Sequence, residues 1–143
     1  MKMTAMRVLL SVGLVMAAAS SCALAQQDGT ISDKDISVVD FEDLSYPAVA
    51  SWNTQGIVVV RVKLDDQGNV VDAVAISGSP LLTRASIDNA KKWRVEPNSQ
   101  KAAVIVYNFR IEGICRPSGW SSQMIFYPPN FAAITACGRP TVP

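Results

Sequence analysis

The chain contains no histidine among its 143 residues. This absence removes the commonest general base, the Ser–His and Cys–His nucleophile pairs and most zinc sites. Blocks of like charge are also missing: 13 basic and 12 acidic residues give a net charge of +1, so nucleic acid is not an expected partner. The carboxylates of Asp65, Asp66 and Asp72 fall in a predicted hairpin, where no buried acid/base pair is evident. The sequence therefore predicts neither an enzyme nor a cofactor.

A long apolar run is missing as well. Residues 8–19 are apolar, but this stretch is shorter than the roughly 20 residues that a membrane-spanning helix needs. Basic residues precede it, and Ala23–Leu24–Ala25 forms an A-x-A cleavage site after it. Residues 1–25 are therefore predicted to be a signal peptide. An uncleaved anchor and lipidation at Cys22 are the alternatives, although the residues before Cys22 fit a lipobox poorly.

Cysteine is scarce, with three in the chain. Cleavage after Ala25 removes Cys22 and leaves Cys115 and Cys137. An even pair in an exported protein is typical of a disulfide, and two unpaired thiols are the alternative. A redox-active pair is disfavoured because no C-x-x-C spacing is present.

The acidic residues cluster near the predicted mature N-terminus. Residues 26–43 contain six acids against one lysine and show no sustained periodicity, which predicts a short solvated linker. Residues 44–113 are predicted to form the folded domain. Residues 114–143 are predicted to be a cysteine-containing C-terminal extension.

Three stretches of the domain have the pattern of strands. Residues 57–64 are rich in β-branched side chains and alternate from Val58 onward, which predicts a strand with one face against a core. Residues 65–69 predict a hairpin turn rather than a calcium loop, because the glycine falls too early. Residues 70–76 are apolar on both parities, which predicts a strand that is central or covered on both sides. Residues 103–111 alternate again and predict a third strand.

A helix is predicted between the second and third strands. Ser79–Pro80 is a good helix start, and the residue before Pro97 avoids the helical region. Trp93 falls on the apolar side of this segment and is predicted to belong to the core. With a short helical turn at residues 46–52, the predicted order is α-β-β-α-β. The predicted fold is α+β: a three-stranded antiparallel sheet packed against one main helix, with a disulfide-linked C-terminal tail.

Several of these segments together resemble the C-terminal domain of TonB. They are Tyr46–Pro47, the alternating strand from Gly56, the turn Asp66–Gln67–Gly68–Asn69, and Lys92–Trp93–Arg94–Val95–Glu96–Pro97. The Lys-Trp-Arg-x-Glu-Pro signature is the most specific part, and the resemblance covers roughly residues 44–113. It implies a periplasmic domain that recognises a short extended segment by pairing it to an exposed sheet edge. In that family the domain couples inner-membrane energy to outer-membrane transporters.

The departures from the family limit what the resemblance implies. Members that transduce energy have an uncleaved membrane helix, usually with a histidine in it, and a long proline-rich linker. This chain has neither feature, so energy transduction is not expected of it. The expected function is a periplasmic binding module that recognises an extended peptide or a segment of an outer-membrane transporter by strand addition.

The expected binding edge is the third strand, at residues 103–111. Its backbone would give affinity, and the outward side chains would give selectivity. Those side chains belong to Val104, Val106, Asn108 and Arg110. The competing expectation is a structural or self-associating protein, for example a homodimer. In that case the edge is capped by a second copy or by the protein's own tail, through Met124–Tyr127.

Overall fold

The computed structural model describes residues 36–51 and 53–140 of the chain. In chain order the elements are β1 (Val38–Asp40), β2 (Gly56–Leu64), β3 (Val70–Ser77), α1 (Pro80–Ala90), β4 (Arg94–Val95), β5 (Ala102–Ile114), β6 (Ser122–Tyr127) and β7 (Phe131–Gly138). The predicted signal peptide and its cleavage site lie outside the described residues. Residues 26–35, the first part of the predicted linker, also lie outside the described residues.

The main sheet has five strands in the order β3-β2-β5-β7-β6, which corrects the predicted three-stranded sheet. The three predicted strands are present as β2, β3 and β5, and they pair antiparallel. The C-terminal tail adds the other two. β7 runs parallel to β5, and β6 pairs antiparallel with β7. The α+β class is confirmed, while the strand count and order are not.

β2 and its hairpin follow the sequence pattern closely. Val58, Val60 and Val62 are fully buried, as the alternation predicts, and β2 turns into β3 through residues 65–69. Gly68 is required in this turn: its φ is 85°, and a Cβ there would lie 1.7 Å from the carbonyl oxygen of Val95. The turn is therefore held against the segment that follows the helix.

The position of β3 differs from the prediction. β3 is an edge strand rather than a central one, and its apolar side chains Val71, Val74 and Ile76 are each more than half exposed. The helix α1 lies against β2 and β3 and covers only one face of the sheet. Apolar residues on both parities of this strand therefore do not mean that both faces are covered.

The main helix is shorter than predicted. α1 begins after Ser79 as expected but ends at Ala90. Trp93 lies beyond it and is 1% exposed in the core, as predicted, and residues 94–95 form the short strand β4. The predicted short helical turn is present as a turn within residues 46–51, where the amides of Ala50 and Ser51 both donate to the carbonyl of Pro47 (3.0 and 3.1 Å).

Part of the predicted linker belongs to the folded unit. Ile36 is 4% exposed, and β1 pairs antiparallel with β4. Glu42 forms an ion pair with Lys92 (2.6 Å), and its carbonyl accepts a hydrogen bond from Asn89 Nδ2 (2.8 Å). Ile36 and Val38 pack on the core while residues 39–43 are exposed, so this part of the predicted linker is attached to the folded unit.

Candidate functional site

The predicted binding strand is in the middle of the sheet. β5 pairs with β2 on one side and with β7 on the other. The amide of Val106 donates to the carbonyl of Asn130 (2.9 Å), and Asn130 Nδ2 donates to the carbonyl of Val104 (2.9 Å). The prediction of an open edge at β5 is therefore wrong, because the protein's own tail pairs with it.

The four predicted contact residues still share one surface. Val104, Val106 and Asn108 are half-buried and Arg110 is exposed, while the residues between them are fully buried in the core. Their side chains therefore lie on the face of the sheet opposite the core. Arg110 Nε is 3.4 Å from Glu112 Oε1. The structure brings the four together on this face, and their contact with a partner stays a prediction.

The tail is part of the hydrophobic core. Ala132 and Ile134 of β7 are fully buried, and Ala136 is 2% exposed. Phe126 of β6 packs its ring 5.6 Å from that of Trp93, centroid to centroid. Since these side chains complete the core, β6 and β7 are not a detachable cover over a finished domain.

The disulfide between Cys115 and Cys137 is confirmed. Their Cα atoms are 4.8 Å apart, and the bond links the end of β5 to the end of β7. The amide of Cys115 also donates to the carbonyl of Gly138 (2.8 Å). The covalent link therefore reinforces the parallel pairing of these two strands.

The open edge on this side of the sheet is β6. The amide of Cys137 donates to the carbonyl of Ser121 (3.3 Å), and the antiparallel register continues from that pair without a shift. Backbone groups alternate in direction along such a strand, so those of Ser122, Met124 and Phe126 point away from β7. No backbone hydrogen bond from the described residues reaches them. They form a row of available donors and acceptors.

A segment near the N-terminus, residues 41–46, lies under β6 and is called the strap below. The amide of Tyr46 donates to Ser122 Oγ (2.8 Å), and the amide of Leu44 contacts Met124 Sδ (3.2 Å). The ring of Phe41 lies 4.9 Å from that of Phe126. The strap therefore contacts the inward side chains of β6. It does not pair with the backbone groups of β6 that point away from β7.

The opposite edge of the sheet, β3, is less suited to pairing. The β2–β3 register shifts twice, between Val59 and Val60 and between Lys63 and Leu64. Such irregularities twist an edge strand and protect it from pairing with another chain, and Asp72 adds a charge. β6 has a regular register and no charged residue. Of the two edges, β6 is the better template for an added strand.

Asn89 is a buried polar residue that joins the helix, β5 and the strap. The sequence pattern did not single it out. Asn89 Oδ1 accepts hydrogen bonds from Trp93 Nε1 (2.8 Å) and from the hydroxyl of Tyr107 (2.9 Å). Burial raises the pKa of Tyr107 above its ordinary value. An asparagine on the apolar side of a helix next to Trp93 was the only signal that could have indicated this cluster.

Within 36–51 and 53–140, no group of three or more cysteine and acidic side chains could hold a metal ion. No helix in the same ranges is long and apolar enough to cross a membrane.

Fold and site together define a disulfide-linked α+β sheet domain with one regular, accessible strand edge. The family model described as the Gram-negative bacterial TonB protein C-terminal matches residues 42–112, and through this domain the chain belongs to the TonB C-terminal family. Domains of this family are protein-interaction modules with a general link to TonB-dependent transport, and in the family they are periplasmic. The match ends within β5, so β6 and β7 lie beyond it. No curated protein and no solved structure matches the chain.

Proposed function

We propose that this protein is a periplasmic TonB-like binding module that takes up an extended segment of a protein partner as an added strand on β6. Family membership makes a segment of an outer-membrane TonB-dependent transporter the first class of partner to test. The observation that carries the proposal is the row of outward backbone groups at Ser122, Met124 and Phe126. In strand addition such groups supply affinity, and neighbouring side chains supply specificity.

The proposal moves the binding edge from β5 to β6. Opening the edge of β5 would require β7 to leave, and with it the fully buried side chains of Ala132 and Ile134. Replacing buried contacts of that kind with water is costly. An added strand on β6 keeps the core intact and extends a sheet that is already regular at that edge.

A second candidate function is self-association. It is supported by the tail, since β7 already fills the edge that the family resemblance would leave for a partner. An uncharged, regular edge such as β6 can also pair with the same strand of a second copy, because a two-fold axis makes that contact self-complementary. In this case the protein would have a structural role and would not bind a segment of another protein.

In vivo photo-cross-linking separates the two candidates. A photoreactive amino acid is placed at Gln123 in β6 and, as the matched control, at Val71 in β3, both of which are exposed. The proposal expects an adduct with a different polypeptide from position 123 and none from position 71. Adducts that contain only this chain would support self-association. Equal adducts with other polypeptides from both edges would remove the preference for β6.

A further inference from the structure

An apolar band crosses the outer face of the sheet and ends at the open edge. Strand register makes Val59 a neighbour of Val106, Val106 a neighbour of Phe131, and Phe131 a neighbour of Tyr127. The rings of Phe131 and Tyr127 are 6.0 Å apart. In the next row, Ala133 of β7 pairs with Ile125 of β6. These six residues are called the outer band.

The two outer-band residues on β6 are accessible to solvent. Ile125 is 44% exposed and Tyr127 49%, whereas the inward residues of the same strand are in contact with the strap. A strand added to β6 would place alternate side chains on the two faces of the sheet. Those on the outer face would lie beside Ile125 and Tyr127 and would extend the apolar band by one strand.

Charge is absent from this part of the surface. Neither β6 nor β7 contains an acidic or basic residue. The charged residues on this face lie to either side of the band: Arg61 is two residues along β2 from Val59, and Arg110 pairs with Glu112, which lies near Gln123 at the other end of β6. A charged side chain of an added strand placed beside Ile125 and Tyr127 would lose water without an ionic partner on either residue, which is unfavourable.

Resting on the proposed function, we infer that the segment accepted by β6 is an uncharged polypeptide strand with a β-branched or aromatic residue at every second position, turned toward Ile125 and Tyr127. Cross-strand pairs of aromatic and β-branched side chains are the favourable ones on such a surface. Selectivity is therefore determined on the outer face by Ile125 and Tyr127, which lie beyond the residues that the family model matches.

The test uses the oxidised mature chain and three end-blocked hexapeptides, with binding followed by NMR at the amides of Ser122, Met124 and Phe126. One peptide alternates serine and valine, one has the same composition in two blocks, and one alternates serine and glutamate. The alternating serine–valine peptide should shift these amides and bind about tenfold more tightly than the other two. That factor corresponds to two or three cross-strand contacts.

Two variants connect the result to the outer band. Ile125→Lys should weaken binding of the serine–valine peptide about tenfold, since it puts a charge beside the added strand. The matched control Val74→Lys makes the same change on the outer face of the far edge strand and should leave binding unchanged.

The outcomes distinguish the inference from the proposed function. Equal binding by the block or glutamate peptide, or insensitivity to Ile125→Lys, overturns the inference and leaves strand addition in place. If no peptide shifts the three amides, strand addition at β6 fails and the inference fails with it. A dimer whose β6 amides are already protected would assign the edge to a second copy, which also overturns both.

Discussion

At the scale of single residues, Asn89 holds three parts of the fold together. Its side-chain oxygen accepts from Trp93 and Tyr107, and its amide donates to the carbonyl of Glu42 in the strap. Asn89→Ala leaves two buried donors without a partner, at about 1–3 kcal/mol each. We expect a clear drop in the urea midpoint. The exposed Asn69→Ala is the control and should change it little, and equal effects of the two would contradict this role for Asn89.

The raised pKa of Tyr107 makes a pH prediction. An unfolded tyrosine ionises near pH 10, but burial keeps the folded phenol protonated to higher pH. Above about pH 10 the folded state therefore binds more protons than the unfolded state, and stability falls as pH rises. Stability should not change below that point on account of this group.

Tyr107→Phe provides the control. It removes the titrating group, so the loss of stability above about pH 10 should become shallower, although Tyr46 remains and burial raises its pKa too. Denaturant melts from pH 8 to pH 11 measure this slope. An unchanged slope in the variant would show that Tyr107 does not contribute to the alkaline instability.

At the scale of elements, the predictable strands are those with strong side-chain patterns. The alternation of Val58 to Leu64 and of Ala103 to Ile111 gave β2 and β5 with the correct buried faces. β7 was missed because small residues fill its inward positions, as at Ala132 and Ala136, and they give little hydrophobic contrast. Its parallel pairing with β5 is also a long-range contact that no local pattern encodes. Met124–Tyr127, the stretch proposed as the tail's cap, lies in β6, one strand farther out.

The contribution of β7 to the core can be measured with one matched pair. Ile134→Ala removes a fully buried side chain and should cost about 2–5 kcal/mol of unfolding free energy. Ile125→Ala, on the exposed outer face of β6, should cost about 0.5 kcal/mol or less. Chemical denaturation of both variants provides the comparison. A small loss for Ile134→Ala would mean that the tail is a detachable cover.

The disulfide should stabilise the same pairing. Reducing a bond that closes a loop of this length should cost about 3 kcal/mol through the greater freedom of the unfolded chain. Urea melts with and without reductant measure the cost, and Cys115→Ser with Cys137→Ser is the thiol-free reference. Identical midpoints for the oxidised and reduced protein would contradict the prediction.

At the scale of the whole molecule, the folded unit extends beyond the predicted domain on both sides. Residues 44–113 were expected from the sequence, and the family model matches 42–112. The structure adds β1 and Phe41 before this region and β6 and β7 after it. The N-terminal addition was not predicted, because acidic residues such as Asp40 and Glu42 are typical of a solvated segment. Composition does not indicate that Ile36 is buried or that Phe41 packs against Trp93.

The proposed site is of the predicted kind, a strand edge, but it lies on a different strand. Sequence and family resemblance indicated a strand edge with Val104, Val106, Asn108 and Arg110 on the outward parity, and these side chains do share the outer face. Which strand ends the sheet depends on where the tail packs. The tail is held there by contacts such as the buried Ile134 and the disulfide, which the local pattern of β5 does not show.

Amide hydrogen exchange on the oxidised mature protein tests the central claim, that β7 covers β5 and leaves β6 as the open edge. The amides of Val106, Asn108 and Arg110 should exchange as slowly as their neighbours that face β2, because Asn130 and β7 accept their hydrogen bonds. Those of Ser122, Met124 and Phe126 should exchange quickly. Fast exchange along β5 together with slow exchange at these three positions of β6 would contradict the account.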